Sequence, residues 1–77
     1  MTPRGHKTLV FIHNFINSHG FSPTYEEIAK GQNLSSKGAM EYVIRNLHDA
    51  ELIDRRPARA RSIILTDKGE KFAKISQ

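Results

Sequence analysis

The chain has 77 residues, no cysteine and a formal net charge of +4. So short a chain builds one core rather than two, and the want of cysteine excludes a disulfide scaffold, Cys-ligated zinc and thiol catalysis. The surplus of Lys and Arg favours a polyanion partner, while no apolar run approaches the ~20 residues of a membrane span, so the expectation is a single cytoplasmic domain over residues 1–77 with no membrane role.

Leu9, Ile12 and Ile16 recur at the spacing of one helical face, with Phe11 and Phe15 on an adjoining strip, and predict a first helix from about Arg4 to Ser18. Its wet side is expected to carry His13, Asn14, Asn17 and His19. Gly20 suits the left-handed position just past the end. Thr24 and Glu27 form a capping box, sharpened by Pro23, for a short second helix that runs to about Gln32 with Ile28 and Ala29 inward. Gly31 weakens its end, and Asn33-Leu34 makes a turn with Leu34 inward. Ser35 or Ser36 is the expected N-cap of a third helix, buried along Met40, Val43 or Ile44, and Leu47. Lys37, Gly38, Glu41, Tyr42, Arg45 and Asn46 fall on its other face.

Residues Leu52 to Arg56 and Arg61 to Thr66 read as two antiparallel strands, with Pro57 at the hairpin tip because it cannot donate to a ladder. The turn reads Arg55-Arg56-Pro57-Ala58-Arg59-Ala60-Arg61, with no acid among them. Thr66 then caps a last helix, with Phe72 and Ile75 inward. Three helices, two strands around a basic turn and a closing helix make the order of an α+β winged helix-turn-helix: a three-helix core, a two-stranded antiparallel wing and a short C-terminal helix.

In that arrangement the start of the third helix is the candidate for reading a DNA groove. Ser35, Ser36 and Lys37 sit where helix-start amides would face a phosphate. Gly38 allows close approach, Glu41 could accept from a cytosine amino group, and Tyr42 and Arg45 could touch base or backbone. The plainer readings are an i, i+4 pair between Glu41 and Arg45 and partial burial of Tyr42 against the first helix. Arg55, Arg56, Arg59 and Arg61 suit phosphates and the minor groove, where the plainer reading is protection of a strand edge. The four histidines lack metal-ligand spacing and are expected at the surface. No catalytic motif is present, so the expectation is a non-enzyme without metal or cofactor. Glu26 and Glu27 point about 100 degrees apart as helix neighbours, so they form no carboxylate dyad.

The stretch from about Arg4 to Leu65 resembles the amino-terminal DNA-binding domain of the LexA repressor family. The resemblance rests on Ile12, Ile16, Gly20, the run Pro23-Thr24-Tyr25-Glu26-Glu27-Ile28-Ala29, Leu34, Ser36, Ala39, Glu41, Leu47 and Leu52-Ile53. The Leu65-Thr66-Asp67-Lys68-Gly69 run is also similar to the Leu-Thr-x-x-Gly that follows the wing in other bacterial winged-helix regulators. The family implies reading positions at Ser36, Gly38, Ala39, Glu41 and Tyr42. Gly38 stands where an asparagine is expected and Tyr42 where an acid is, which implies a different operator. The family's second, self-cleaving and dimerising domain has no counterpart before Gln77, so autocleavage is not expected and a homodimer would rest on the domain itself. The expected function is sequence-specific binding of double-stranded DNA by a small bacterial or phage transcriptional regulator. The alternative is a winged-helix interaction module that binds a host or partner protein.

Overall fold

The computed structural model describes residues 3–34, 37–56 and 61–75, with Lys37 described by its backbone alone. Six elements follow in chain order: α1 (Pro3–His19), α2 (Tyr25–Gly31), α3 (Lys37–Asp49), β1 (Ile53–Asp54), β2 (Ile64–Leu65) and α4 (Asp67–Ile75). This is the expected α+β winged helix-turn-helix. The core gathers Leu9 and Ile12 from α1, Ile28 from α2, Met40, Val43, Ile44 and Leu47 from α3, Leu52, Ile53 and Ile63 from the wing base, and Ala73 from α4.

The first helix opens on Pro3, whose fixed φ and missing N–H suit a first helical position. It ends where Gly20 takes φ +79° and donates to the Ile16 carbonyl at 2.8 Å. The expected wet side is wrong at His13, which is buried. Its Nε2 lies 3.1 Å from Asn17 Nδ2 and 3.6 Å from a Glu70 carboxylate oxygen. The reason is α4, which packs on α1 and covers that flank. Periodicity within α1 carries no record of a helix more than fifty residues later. His6 also departs from the surface expectation: it is half-buried, and its Nε2 is sealed off with no hydrogen-bond partner among the described residues. His19 and His48 are exposed.

The capping box of α2 forms as read. Glu27 N–H donates to Thr24 Oγ1 at 3.2 Å, and Thr24 N–H donates to Glu27 Oε1 at 2.8 Å. The ends of α2 and α3 use one device twice. Leu34 N–H reaches the Ala29 carbonyl and Asn33 N–H the Lys30 carbonyl; Leu52 N–H reaches the Leu47 carbonyl and Glu51 N–H the His48 carbonyl. This is a Schellman motif in both places, with a left-handed residue (Asn33 at φ 58°, Glu51 at φ 61°) followed by a leucine that turns back onto the helix. Leu34 is thereby brought against the core, and Leu52 is buried in it. Gly31 does more than weaken a helix end: a Cβ there would stand 2.1 Å from the Phe11 ring, so its lack of a side chain lets α2 close on α1.

The wing ladder is shorter than expected, two residues a strand, in the register Ile53↔Leu65 and Asp54↔Ile64. Beyond it, side chains take the backbone's partners. The Ser62 hydroxyl accepts from Arg56 N–H at 3.1 Å and donates to the Arg56 carbonyl at 3.0 Å, and Asp54 accepts from Arg55 N–H. Pro57 and the expected hairpin tip lie outside the described residues. At the base, Thr66 accepts from Gly69 N–H as the cap of α4 and donates to the Glu51 carbonyl at 2.6 Å, while Lys68 Nζ donates to the Ala50 carbonyl. The orphan carbonyls after α3 are therefore capped by the start of α4. The inward residues of α4 are Gly69 and Ala73, whereas Phe72 is 40% exposed and Ile75 79%. A Cβ at Gly69 would lie 1.9 Å from the Leu52 carbonyl oxygen. So close an approach selects the strip of small residues four apart as the contact face and turns the larger apolar side chains outward.

Candidate nucleic-acid interface

Helix α3 divides cleanly. Met40, Val43, Ile44 and Leu47 are all buried, so both candidates for the middle of the stripe lie inside. Gly38, Ala39, Glu41, Tyr42, Arg45 and Asn46 are exposed. The residues at 38, 41, 42 and 45 share one side because each step of three or four residues returns the helix to the same face. A tyrosine on that side is 66% exposed, so it is not buried against α1. Among the described residues no hydrogen bond or ion pair joins Glu41 to Arg45, which leaves the carboxylate and the guanidinium facing solvent. Gly38 has open space where a Cβ would stand. Ser35 and Ser36, the expected phosphate-facing cap, and the Lys37 side chain lie outside the described residues.

The wing arginines separate into two sets. Arg61 is at φ 56° and leans back onto the helices. Its Nη1 donates to the Ser22 carbonyl at 3.0 Å and to Glu27 Oε1 at 2.8 Å, its Nη2 lies 3.3 Å from Glu27 Oε2, and its guanidinium carbon sits 4.6 Å from the centre of the Phe21 ring. Arg55 Nη1 donates to the Tyr25 hydroxyl at 2.5 Å. Arg56 is exposed and its guanidinium makes no hydrogen bond among the described residues; Arg59 falls outside them. The acid missing from the arginine run is thus supplied by α2, 34 residues earlier. No local pattern pairs those positions. The capping box marks Glu27 for a local purpose, and its second purpose exists only after folding.

Phe21 is held in turn by the end of α1. It meets Phe15 edge-on at 5.9 Å and His19 at 5.7 Å, and Phe15 and His19 stack at 4.0 Å. The Thr24 backbone N–H, first, and then the Arg61 guanidinium hold the Glu27 carboxyl below the ordinary carboxylate range, so it is ionised at neutral pH. Among the described residues no three His, Cys, Asp or Glu side chains gather into a metal site, and no helix is long and apolar enough to cross a membrane.

A short helix, a turn closed by a left-handed asparagine and a solvent-faced third helix, followed by a small sheet whose flanking arginines reach back to the second helix, define a winged helix-turn-helix protein. Residues 1–62 match the model of the LexA DNA-binding domain, and the chain belongs to that family. It is 42% identical to the LexA repressor of Koribacter versatilis over 91% of its own length. The corresponding figures are 36% over the whole chain for the LexA repressor of Zymomonas mobilis and 39% over 91% for that of Thermosipho melanesiensis. The chain spans only 34–37% of the length of these curated relatives.

Proposed function

We propose that the chain binds double-stranded DNA sequence-specifically and regulates transcription as a repressor in a bacterium or bacterial virus. Helix α3 would lie in the major groove and the arginine wing on the neighbouring backbone and minor groove. The observation that carries this reading is the solvent face of α3, where a small residue, a carboxylate, an open tyrosine and a guanidinium lie along one side of a helix whose other side is locked into the core. Gly38 and Ala39 permit close approach to base edges, Glu41 suits a cytosine amino group, and Tyr42 and Arg45 add base or phosphate contacts. Ser35, Ser36 and Lys37 would bring the helix start to a phosphate. Family membership and relatives named as repressors support the same reading.

The test is a salt titration of duplex binding, followed by selection of bound sequences from a random pool. Affinity should fall steeply as salt rises, because phosphate contacts release counterions. Glu41→Gln and Tyr42→Phe should each change the preferred sequence, by about 1–3 kcal/mol at one base pair. Binding indifferent to salt, or capture of one stoichiometric protein with no duplex retained, would reject the reading in favour of a protein-interaction module. Selected half-sites about one helical turn apart would report a homodimer on DNA.

A further inference from the structure

We infer that Arg61, assisted by Arg55, is a positioning residue that docks the wing on the helix-turn-helix, and that the acidic Glu27 serves DNA binding through it. This deepens the proposed function and rests on it. The run of arginines invites a uniform reading in which each cation grips a phosphate. The geometry divides the labour.

Arg61 is engaged on three sides. A backbone carbonyl, both oxygens of one carboxylate and an aromatic face take up its guanidinium, and they come from the α1–α2 connection and the first turn of α2. A planar fork held by both oxygens of a carboxylate is a directional contact rather than a loose surface pair. Each partner is itself fixed. Glu27 is held by the Thr24 N–H, and Phe21 packs on Phe15 and His19. Arg55, entering the turn from the other strand, is tied to Tyr25 in the same first turn of α2. Both bases of the basic turn are therefore fastened to one short helix. A ladder of two residue pairs, followed by the Ser62–Arg56 contacts, is a short base from which to set the direction of the wing. Arg56 has no such tether among the described residues and is left for phosphate.

Docking and gripping make opposite predictions at Glu27. If Arg61 grips phosphate, Glu27 competes with the DNA for it, and Glu27→Gln should tighten binding. If Arg61 positions the wing, Glu27→Gln should weaken binding even though it removes a negative charge from a DNA-binding protein. The experiment measures duplex affinity against salt for wild type, Arg61→Gln, Glu27→Gln, the double variant and Arg56→Gln, each first checked for folding by circular dichroism. Glutamine at 27 keeps an oxygen for the Thr24 N–H, so the helix cap survives.

The expected result is that Arg61→Gln and Glu27→Gln each weaken binding roughly threefold to fivefold, the scale of a well-formed surface ion pair, and that the double variant is no worse than either single one. Their salt slopes stay at the wild-type value, whereas Arg56→Gln lowers the slope by about 0.9, the share of one phosphate. Contacts between Phe21 and the wing, followed by NMR without DNA, should be lost in Glu27→Gln. Tighter binding by Glu27→Gln, or a salt slope lowered by about 0.9 in Arg61→Gln, would overturn the assignment. So would unchanged Phe21–wing contacts in Glu27→Gln, with or without DNA. A wild-type chain that binds no duplex would instead reject the proposed function itself, and this assignment with it.

Discussion

The helical body and the wing are held by different physics. In the body, side chains from α1, α2, α3 and α4 converge on one apolar core in which Leu9, Ile12, Ile28 and Ile44 have no exposure at all. Among the described residues, the wing adds Leu52, Ile53 and Ile63 to that core from its base. Above the base it is kept in place by directed polar contacts: Ser62 on both backbone groups of Arg56, Arg55 on Tyr25 and Arg61 on Glu27. Burial is non-directional and tolerant, while hydrogen bonds and ion pairs are geometric and individually weak. The helix whose outer face is open to solvent is thereby set by burial, and the basic arm beside it by directed polar contacts.

Breaking the body should cost most. Ile44→Ala leaves a cavity in the core and should destabilise the chain by about 2–5 kcal/mol in urea unfolding, with helix and wing probes melting together. Separate transitions would mean that the wing has stability of its own. Gly69→Ala should come next. Its Cβ would collide with the Leu52 carbonyl, a backbone atom, so α4 must back away; about 1–3 kcal/mol is expected, read as a lower melting temperature. An unaffected melting point would show that α4 is not seated as described.

Ser62→Ala attacks the wing and leaves the core intact. The expected loss is about 0.5–1.5 kcal/mol, confined to faster amide exchange at Arg56 and its neighbours, with α3 amides unchanged. The gentlest probe is pH. The folded carboxyl of Glu27 titrates below its unfolded value, so its contribution is complete above the ordinary carboxylate range and is lost as pH falls through the depressed folded value. NMR titration of Glu27 should show that value rising in Arg61→Gln while staying below the ordinary range, because the Thr24 N–H, the larger cause, remains. Identical titrations in wild type and variant would deny the wing pair in solution.

Much of the body was readable before folding. The apolar stripes of α1 and α3, the capping box at Thr24 and Glu27, the left-handed Gly20, the inward Leu34 and the cap at Thr66 are all near-neighbour rules, and each holds. The resemblance carried by the Pro23 to Ala29 run led to the right family. The outer face of α3 was readable for the same reason, since one helix period separates its two sides. The misses lie where tertiary packing or competing side chains intervened. His13 is buried by α4, Phe72 and Ile75 are turned out because Gly69 and Ala73 seat that helix, and the ladder stops at two pairs because side chains take the next backbone partners.

The arginine turn shows most clearly where the two kinds of information part. Its positive charge, its place after α3 and its freedom from local acids are properties of the sequence, because charge and order do not depend on folding. Which arginine faces outward is a property of the fold alone. Glu27 and Arg61 are 34 residues apart, and only the folded arrangement of α2 and the connection before it brings a carboxylate, a carbonyl and an aromatic ring to one guanidinium. Short-range spacing governs what a helix buries; long-range packing governs where a flexible cation is spent.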